Sequence, residues 1–292
     1  MPPTDTSQSI AEQALERVGH LGTLPQMTMR IISLVEDPES TAGDLHDVVA
    51  SDPVLGTRIL KVVNSAFYGL SGEVSTLQRA IVLLGLNAVK NIAIAASLSK
   101  LFRGGKVCPN FDARQLWSHA VVTGAAGRLV SRKAGLHLDE EAFLAGLVHN
   151  VGILVEIQTN REGFAEAVRH SGQTDTPTLR LAESRHLGAD HEAFGDALSR
   201  KWRFPQTLVM ACGHHHEPWV LPSEANRLAM ITHTADVLAT CLLDENCCGA
   251  ETDEINPQVL DALKLTQPMV DELMSELPKA REEASALFAD AA

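Results

Sequence analysis

The chain has 292 residues, of which 45% are hydrophobic and only 4% aromatic, and its formal net charge is −13. A chain of this length buries an ample core in one large domain or two smaller ones. The negative charge argues against non-specific binding of the whole chain to nucleic acid or to an anionic membrane. Leu and Ala are abundant and alternating runs of Val, Ile and Thr are missing, so we predict an all-α fold.

Helix signals divide the first part of the chain into short segments. They combine capping residues with proline at a first helical position, and they stand at Leu24-Pro25, Thr41 with Asp44, Asp52-Pro53, Ser75 and Asn87. The clearest break runs from Gly104-Gly105 to Pro109-Asn110. We place the boundary between two lobes at this break.

Longer helices are predicted after the break. Asp112 caps one that carries His119 and a face of small residues, which allows another helix to pack closely. Asp139 is expected to cap the apolar run Ala142–Gly152, in which His149 and Asn150 are the only strongly polar residues. Later helices begin at Asp190, Phe204-Pro205 and Ser223, and an acidic amphipathic tail from Asn256 is expected to kink or divide at Pro278. No strand and no internal repeat is predicted.

The sequence also predicts where the protein resides. The first twenty residues show no apolar signal sequence, and polar residues interrupt the longest apolar segment, Ala80 to Leu98, so we expect no membrane span. The five cysteines have neither zinc spacing nor an even-numbered framework, which is typical of a reducing compartment. We expect a soluble, cytoplasmic protein.

Histidines are concentrated in the second lobe, where His149 ends an apolar stripe. Burying an imidazole there is costly unless it is bonded, so His149 is either a core residue bound to a backbone carbonyl or a metal ligand. The other candidates are His119, His191, His214, His215, His216, His233 and Asp236. Histidines and a carboxylate on separate buried helices are typical of a metal site in a helical bundle. Adjacent histidines point about 100° apart, so at most two of the run 214–216 can face one centre; alternatively, the run only ends a helix.

The order of His119, His149-Asn150 and Asp236 resembles the metal-binding series of the HD phosphohydrolase superfamily. Several longer motifs resemble the HDOD family over residues 20–245: Leu24-Pro25-Gln26, Ser51-Asp52-Pro53, Arg58 to Gly69, Ala80-Ile81 with Leu84-Gly85, Trp117-Ser118-His119, Ala142 to Gly152, Trp202 with Phe204-Pro205, and His215-His216-Glu217-Pro218. The chain is identified as a member of the HDOD family on these motifs.

The resemblance implies a two-lobed, all-α HDOD fold whose second lobe is an HD-hydrolase-like helical bundle. We expect an N-terminal helical extension over 1–19, an HDOD domain over 20–245 with lobes 20–106 and 107–245, and acidic C-terminal helices over 246–292 that pack on the domain. It also implies a bacterial regulatory protein that acts through signalling partners. Most members of the family are thought to lack catalysis.

Asn150 departs from the hydrolytic pattern, which has aspartate at this position. A neutral amide cannot bridge two cations well, and two-metal activation of water needs such anionic bridges. We therefore expect no catalytic residue. One divalent metal (Fe, Mn, Zn or Mg) held by some of His119, His149, Asn150, His191, His215, His216 and Asp236 is one hypothesis, and a metal-free polar cluster is the other.

A second function stays open, that of a metal-dependent phosphohydrolase or phosphodiesterase acting on a nucleotide or cyclic dinucleotide. His215-His216-Glu217 resembles the cyclic-di-GMP phosphodiesterase branch of the superfamily. The Gly-Tyr-Pro signature of that branch is replaced here by Pro218-Trp219-Val220-Leu221-Pro222, which disfavours this function.

Basic residues prevail between Gly56 and Lys106, where Glu73 is the single acid. Arg58 and Lys61 lie three residues apart on one helix face and are our candidates for a partner-binding surface. The alternative is an ordinary solvated surface. Asn64 lies on another side of the same helix and is expected to cap or brace the turn before Ser75.

Overall fold

The computed structural model describes residues 5–17, 26–98, 101, 105–175, 178–223, 225–243 and 254–287. Nearly all regular structure in these ranges is helical, which confirms the predicted fold class. Helix α1 packs against the second lobe and is followed by the five helices of the first lobe. Their bounds are α1 Asp5–Arg17, α2 Gln26–Glu36, α3 Ala42–Ala50, α4 Pro53–Val63, α5 Leu77–Leu84 and α6 Leu86–Leu98.

Local capping explains most helix starts in the first lobe. Thr41 and Asp44 form the predicted capping box of α3, and the Asp52 side chain accepts the Leu55 amide at the start of α4. Two predicted caps are wrong. Thr76, not Ser75, has the extended backbone and the side-chain bond that begin α5. The left-handed turn at Gly85 lets α6 begin at once, at Leu86, so Asn87 already lies inside the helix. The start signal Leu24-Pro25 falls outside the described residues.

Asn64 braces the turn that follows α4, as predicted. Its amide nitrogen donates to the carbonyl of Val74 over 2.8 Å, and its side-chain oxygen accepts the Val74 amide over 2.6 Å. Both bonds span ten residues and close the loop that carries Phe67 and Tyr68. This places two aromatic rings at the border of the lobes.

A small hairpin lies at the lobe boundary, where we predicted no strand. Lys106–Cys108 (β1) and Phe111–Asp112 (β2) pair antiparallel around Pro109-Asn110. Segments of three and two residues are too short to show an alternating pattern, which explains the error. Buried Phe111 packs edge-on against Phe164, with ring centroids 4.9 Å apart, and anchors the hairpin to the second lobe.

The second lobe is built on a long central helix. Its elements are α7 Ala113–Lys133, α8 Asp139–Val148, α9 Val151–Thr159, α10 Arg161–His170, α11 Leu179–Leu187, α12 His191–Lys201, α13 Gln206–His214, a 3-10 turn Pro218–Val220, and α14 Arg227–Leu243. The predicted caps Asp112 and Asp190 are confirmed. Asp139 does not cap α8, because its carboxylate accepts from Ser131 and Arg132 instead. Helix α14 begins at Arg227, four residues after the predicted cap Ser223.

The small-residue face of α7 was predicted to allow close packing of another helix, and the structure shows that this helix is α8. A Cβ on Gly127 would lie 2.8 Å from the Ala142 carbonyl oxygen, and one on Gly124 would lie 2.9 Å from that of Phe143. The stretch Asp139–Thr159 is long and apolar enough to cross a membrane, but 83% of its apolar window is buried in the protein. Its composition therefore reflects its place in the core.

The C-terminal helices α15 Pro257–Leu263 and α16 Gln267–Leu287 pack on the second lobe, α16 mainly against α7. Buried Leu273, Leu277 and Ala284 form the inner face of α16. The helix continues through Pro278, so the predicted division is wrong. Pro278 lies on the exposed side, where water can satisfy the carbonyl that loses its helical bond.

Candidate metal centre

Two groups of three potential ligands lie buried in the second lobe. The first group is His119 on α7, His149 directly after α8, and Asp236 on α14. The second is His191 on α12 with His215 and His216 directly after α13. Within each group the ligand atoms lie within 4.8 Å of one another. We call them the first and the second triad.

Asp236 holds the first triad together. Its Oδ1 lies 2.7 Å from His119 Nε2 and 3.5 Å from His149 Nε2. Burial alone would raise the pKa of Asp236, but the hydrogen bond from His119 and the nearby ring of His149 outweigh burial and hold this pKa well below its usual range. Burial lowers the pKa of His149, which favours its neutral, metal-binding form.

The second triad adjoins the first. The ring centroid of His215 lies 4.9 Å from that of His149 and 4.2 Å from that of His216. His191 Nε2 and His216 Nε2 approach to 2.9 Å. Burial lowers the pKa of His215 and of His216 well below the usual value. As predicted, only two of the three adjacent histidines face the centre, since His214 is half-buried and belongs to neither triad.

In three of the histidines the Nδ1 atom bonds to a group outside the triads, which leaves Nε2 facing the centre. His149 Nδ1 lies 2.8 Å from the Gly146 carbonyl, His215 Nδ1 lies 3.2 Å from those of Ala211 and Cys212, and His191 Nδ1 lies 2.7 Å from the Glu183 carboxylate. Because carbonyls and carboxylates only accept, each Nδ1 must donate, and the neutral ring that binds a metal then carries its lone pair on Nε2. This is the arrangement that outer partners impose on metal-bound histidines.

Two inward nitrogens lack a hydrogen bond. His149 Nε2 and His215 Nε2 are completely buried and find no hydrogen-bond partner among the residues that the structure describes. An unsatisfied buried acceptor is costly, and a divalent cation bound to such a nitrogen would satisfy it. The residues therefore fit a metal. Imidazole donors suit Fe or Zn, whereas Mg²⁺ prefers oxygen ligands and fits least well.

Asn150 is also buried, next to His149. It lies at the start of α9 with 1% of its surface exposed, and its side chain does not cap that helix. An amide at this position offers at most a neutral oxygen to the first triad.

Charged groups that the sequence analysis missed surround the second triad. Glu183 accepts from His191, and Glu156 lies fully buried beside Glu183. Burial and then repulsion by Glu183 raise the pKa of Glu156 well above its usual value. Arg180 donates to Glu192 over 2.6 Å, and Glu192 in turn accepts the His216 amide. No spacing rule predicts these partners, because they come from different helices.

A cavity of about 390 Å³ leads to the centre. Asp236 and His216 form part of its wall, together with Trp219, His233 and Asn256. His233 Nδ1 lies 2.8 Å from the His215 carbonyl oxygen and so donates to it, which helps to hold His215 in place. The cavity joins both triads to the surface of the second lobe. Arg58 and Lys61 lie elsewhere, on α4 of the first lobe.

Metal-stripped protein should lose stability as the pH rises from about 6.5 to 9. Burial alone lowers the pKa of His191, but Glu183, Asp190 and Glu192 outweigh burial and raise it from 6.5 to about 9. The folded state therefore keeps a proton that the unfolded state releases within this window. The resulting stabilisation is complete below pH 6.5 and is lost as the pH rises through 9.

Urea unfolding across this window measures the effect. His191→Gln, which has no titratable ring, should show a flatter dependence on pH. An equally steep loss in that variant would contradict the assignment to His191.

The family can now be assigned. The family model "HDOD domain" matches residues 21–218, more than half of the chain. The chain belongs to the HDOD family. HDOD domains are related to HD phosphohydrolases, in keeping with the position of the first triad. Asp236 itself lies beyond the matched residues.

Solved structures show the same fold. An HDOD domain protein of unknown function from Geobacter sulfurreducens is 22% identical and superposes with a TM-score of 0.79, covering 97% of this chain and 99% of its own. A protein from Shewanella amazonensis, named a candidate phosphohydrolase, is 22% identical with a TM-score of 0.72, covering 96% and 98%. A candidate signal transduction protein from Marinobacter aquaeolei is 27% identical with a TM-score of 0.73, covering 98% and 65%.

One curated relative is longer than this chain. An uncharacterised protein of Treponema pallidum (strain Nichols) is 22% identical over 216 residues. The match covers 74% of this HDOD chain but only 41% of that relative. This chain therefore spans less than half the length of that relative.

Proposed function

We propose that this HDOD protein is a cytoplasmic, non-catalytic regulatory module of bacterial signal transduction that holds one divalent metal. The observation that carries the proposal is the pair of buried, unsatisfied Nε2 atoms of His149 and His215 beside the neutral Asn150. The nitrogens supply affinity for a metal. The amide withholds the bridging charge that hydrolysis needs.

The metal would stabilise the fold rather than take part in a reaction. His119, His149 and Asp236 stand on or directly beside α7, α8 and α14, so one ion held by them would cross-link three helices. When bound, such an ion supplies a fixed positive charge and tight ligand bonds. This chain's own residues orient the ligands, through the Gly146 carbonyl and the Glu183 carboxylate.

The partners are proposed to be signalling proteins. Arg58 is half-exposed and Lys61 exposed on α4, which supports our choice of this face. Helix α3 packs against α4 and carries exposed Asp44 and Asp47, so acidic side chains also occur in this part of the first lobe. Reversing Arg58 and Lys61 to Glu should abolish capture of the native partner without lowering the melting temperature. Normal capture would refute this choice of surface.

We expect no turnover of cyclic-di-GMP, nucleotides or generic phosphoesters with Mg²⁺, Mn²⁺ or Fe²⁺. Without an anionic bridge at Asn150, the centre cannot hold two cations at the spacing that activates water. Product analysis by chromatography, with His149→Ala as the control, tests this. Hydrolysis that disappears in His149→Ala would overturn the non-catalytic function.

The cavity favours a second candidate, a metal-dependent phosphohydrolase or phosphodiesterase. It brings solvent to Asp236 and His216, as access for a nucleotide or cyclic dinucleotide would require. The second triad could hold another ion. This candidate predicts that wild type is active and that Asn150→Asp is more active, whereas the regulatory module remains inactive in both forms.

A further inference from the structure

The two lobes are joined by a cluster that the metal centre does not use. The Arg128 guanidinium of α7 lies 4.4 Å from the ring centroid of Phe67 and 4.5 Å from that of Tyr68. It also donates to the Phe67 carbonyl oxygen over 3.2 Å. The cation of the second lobe thus lies over two aromatic rings of the first, a favourable cation–π arrangement.

Glu140, in the first turn of α8, completes this cluster. Its Oε2 accepts the Tyr68 hydroxyl over 2.7 Å, and its Oε1 lies 3.4 Å from an Arg128 nitrogen. The side chains of Arg128 and Glu140 are 7% and 14% exposed, so water screens their ion pair weakly. We call Phe67, Tyr68, Arg128 and Glu140 the clasp.

The same two helices carry both the clasp and the first triad. His119 and Arg128 are nine residues apart on α7, and Glu140 and His149 are nine residues apart along α8 and its end. Nine residues of helix span about 13.5 Å. The pair of helices therefore holds histidine ligands at one end and the bonds to the first lobe at the other.

Close backbone contact prevents these helices from sliding independently. A Cβ on Gly146 would lie 2.5 Å from the Gly124 backbone nitrogen, and one on Gly127 would lie 2.8 Å from the Ala142 carbonyl oxygen. At such distances the two backbones interlock, and packed interiors transmit strain because they are dense. A change of register at one end must reach the other.

We propose that α7 and α8 couple the metal centre to the clasp, so that metal binding and docking of the first lobe stabilise each other. The metal fixes His119 relative to His149, and the clasp fixes Arg128 relative to Glu140. Both favour one register of the same helix pair, so each reduces the freedom that the other must remove. The inference rests on the metal-binding part of the proposed function. It adds that α7 and α8 carry the effect of metal binding to the contact between the lobes.

Tyr68 is the only tyrosine of the chain, so 3-fluorotyrosine gives one ¹⁹F resonance located in the clasp. Diamagnetic Zn²⁺ is the probe, because at this distance it shifts the resonance only through a change in structure. We expect Zn²⁺ to shift or sharpen the resonance in wild type and not in His119→Ala. Calorimetry follows Zn²⁺ binding in the same samples.

Coupling must also act in the reverse direction. Arg128→Lys keeps the charge but loses the flat group that lies over the rings, and we expect it to weaken Zn²⁺ binding about 5- to 150-fold. Tyr68→Phe, which removes only the bond to Glu140, should weaken Zn²⁺ binding less. It replaces Arg128→Lys in the experiment if the Arg128 variant does not fold. Arg132→Lys is the matched control, because Arg132 is one turn further along α7 and pairs with Asp139 within the second lobe.

The outcomes separate this inference from the proposed function. Zn²⁺ binding with an unchanged ¹⁹F resonance, or equal affinity in Arg128→Lys and Arg132→Lys, would overturn the coupling and leave the metal site standing. Absence of Zn²⁺ binding in the wild type would overturn both. A shift in wild type that is lost in His119→Ala supports the coupling.

Discussion

Gly152→Ala is expected to lower the free energy of unfolding by about 3 kcal/mol or more, a large value for one methyl group. A Cβ at this position would lie 1.9 Å from the His191 carbonyl oxygen and 2.7 Å from the Gly195 backbone nitrogen. Both are backbone atoms of α12, so no side chain can rotate away. Helix α12 would have to move off α9 and take His191 out of the second triad.

Gly43→Ala is the matched control, since it makes the same change inside a helix with ordinary space around it. There the nearest atom to a new Cβ is the Thr41 hydroxyl oxygen at 3.4 Å. Alanine favours helix by up to about 1 kcal/mol over glycine, so this variant should be neutral or more stable. Urea unfolding of both variants measures the difference. Equal stability would mean that α9 and α12 do not pack as described.

Zn²⁺ at a hundred times its dissociation constant should raise the stability of metal-stripped protein by about 2.7 kcal/mol. His149→Ala should abolish this gain, because it removes one ligand of the first triad. Without metal the same variant should cost about 1–3 kcal/mol, since the buried carboxylate of Asp236 loses one of its two histidine neighbours.

His214→Ala is the control for this experiment. His214 directly precedes His215 and His216 of the second triad in sequence but is half-buried and belongs to neither triad. Its variant should keep the full gain from Zn²⁺ in thermal or urea unfolding. A similar gain in His149→Ala would show that the metal binds elsewhere, and a loss in both variants would indicate general damage to the fold.

The sequence predicted the features that depend on interactions between residues close together in the chain. Caps such as Asp52 and Asp112 act within three residues, so a local pattern suffices to find them. The burial of His149 also followed from local sequence, because it ends an apolar helix. The ligand candidates came from the concentration of histidines on the buried helices of the second lobe and from the resemblance to a family. The structure brings His119, His149 and Asp236 together, as it does His191, His215 and His216.

Features that depend on distant contacts were not predictable in this way. Glu183, Arg180 and Glu192 support the second triad from neighbouring helices, and their spacing in the sequence does not indicate this role. The motif that contains Phe67 and Tyr68 was visible, but its role needs Arg128, which lies 61 residues after Phe67. The predicted division at Pro278 was wrong because α16 tolerates this proline on its exposed side. That exposure depends on tertiary packing, which the local sequence does not show.

The bond between His119 and Asp236 joins residues 117 positions apart. At about 5–20 residues per second, a ribosome needs roughly 6–23 seconds to travel that distance. From the synthesis of His149 onwards, the new chain holds two histidines of the first triad without their carboxylate. Metal capture therefore belongs to a late stage of biosynthesis, after α14 has left the ribosome. An ion in the first triad would mark a chain whose second lobe has finished folding.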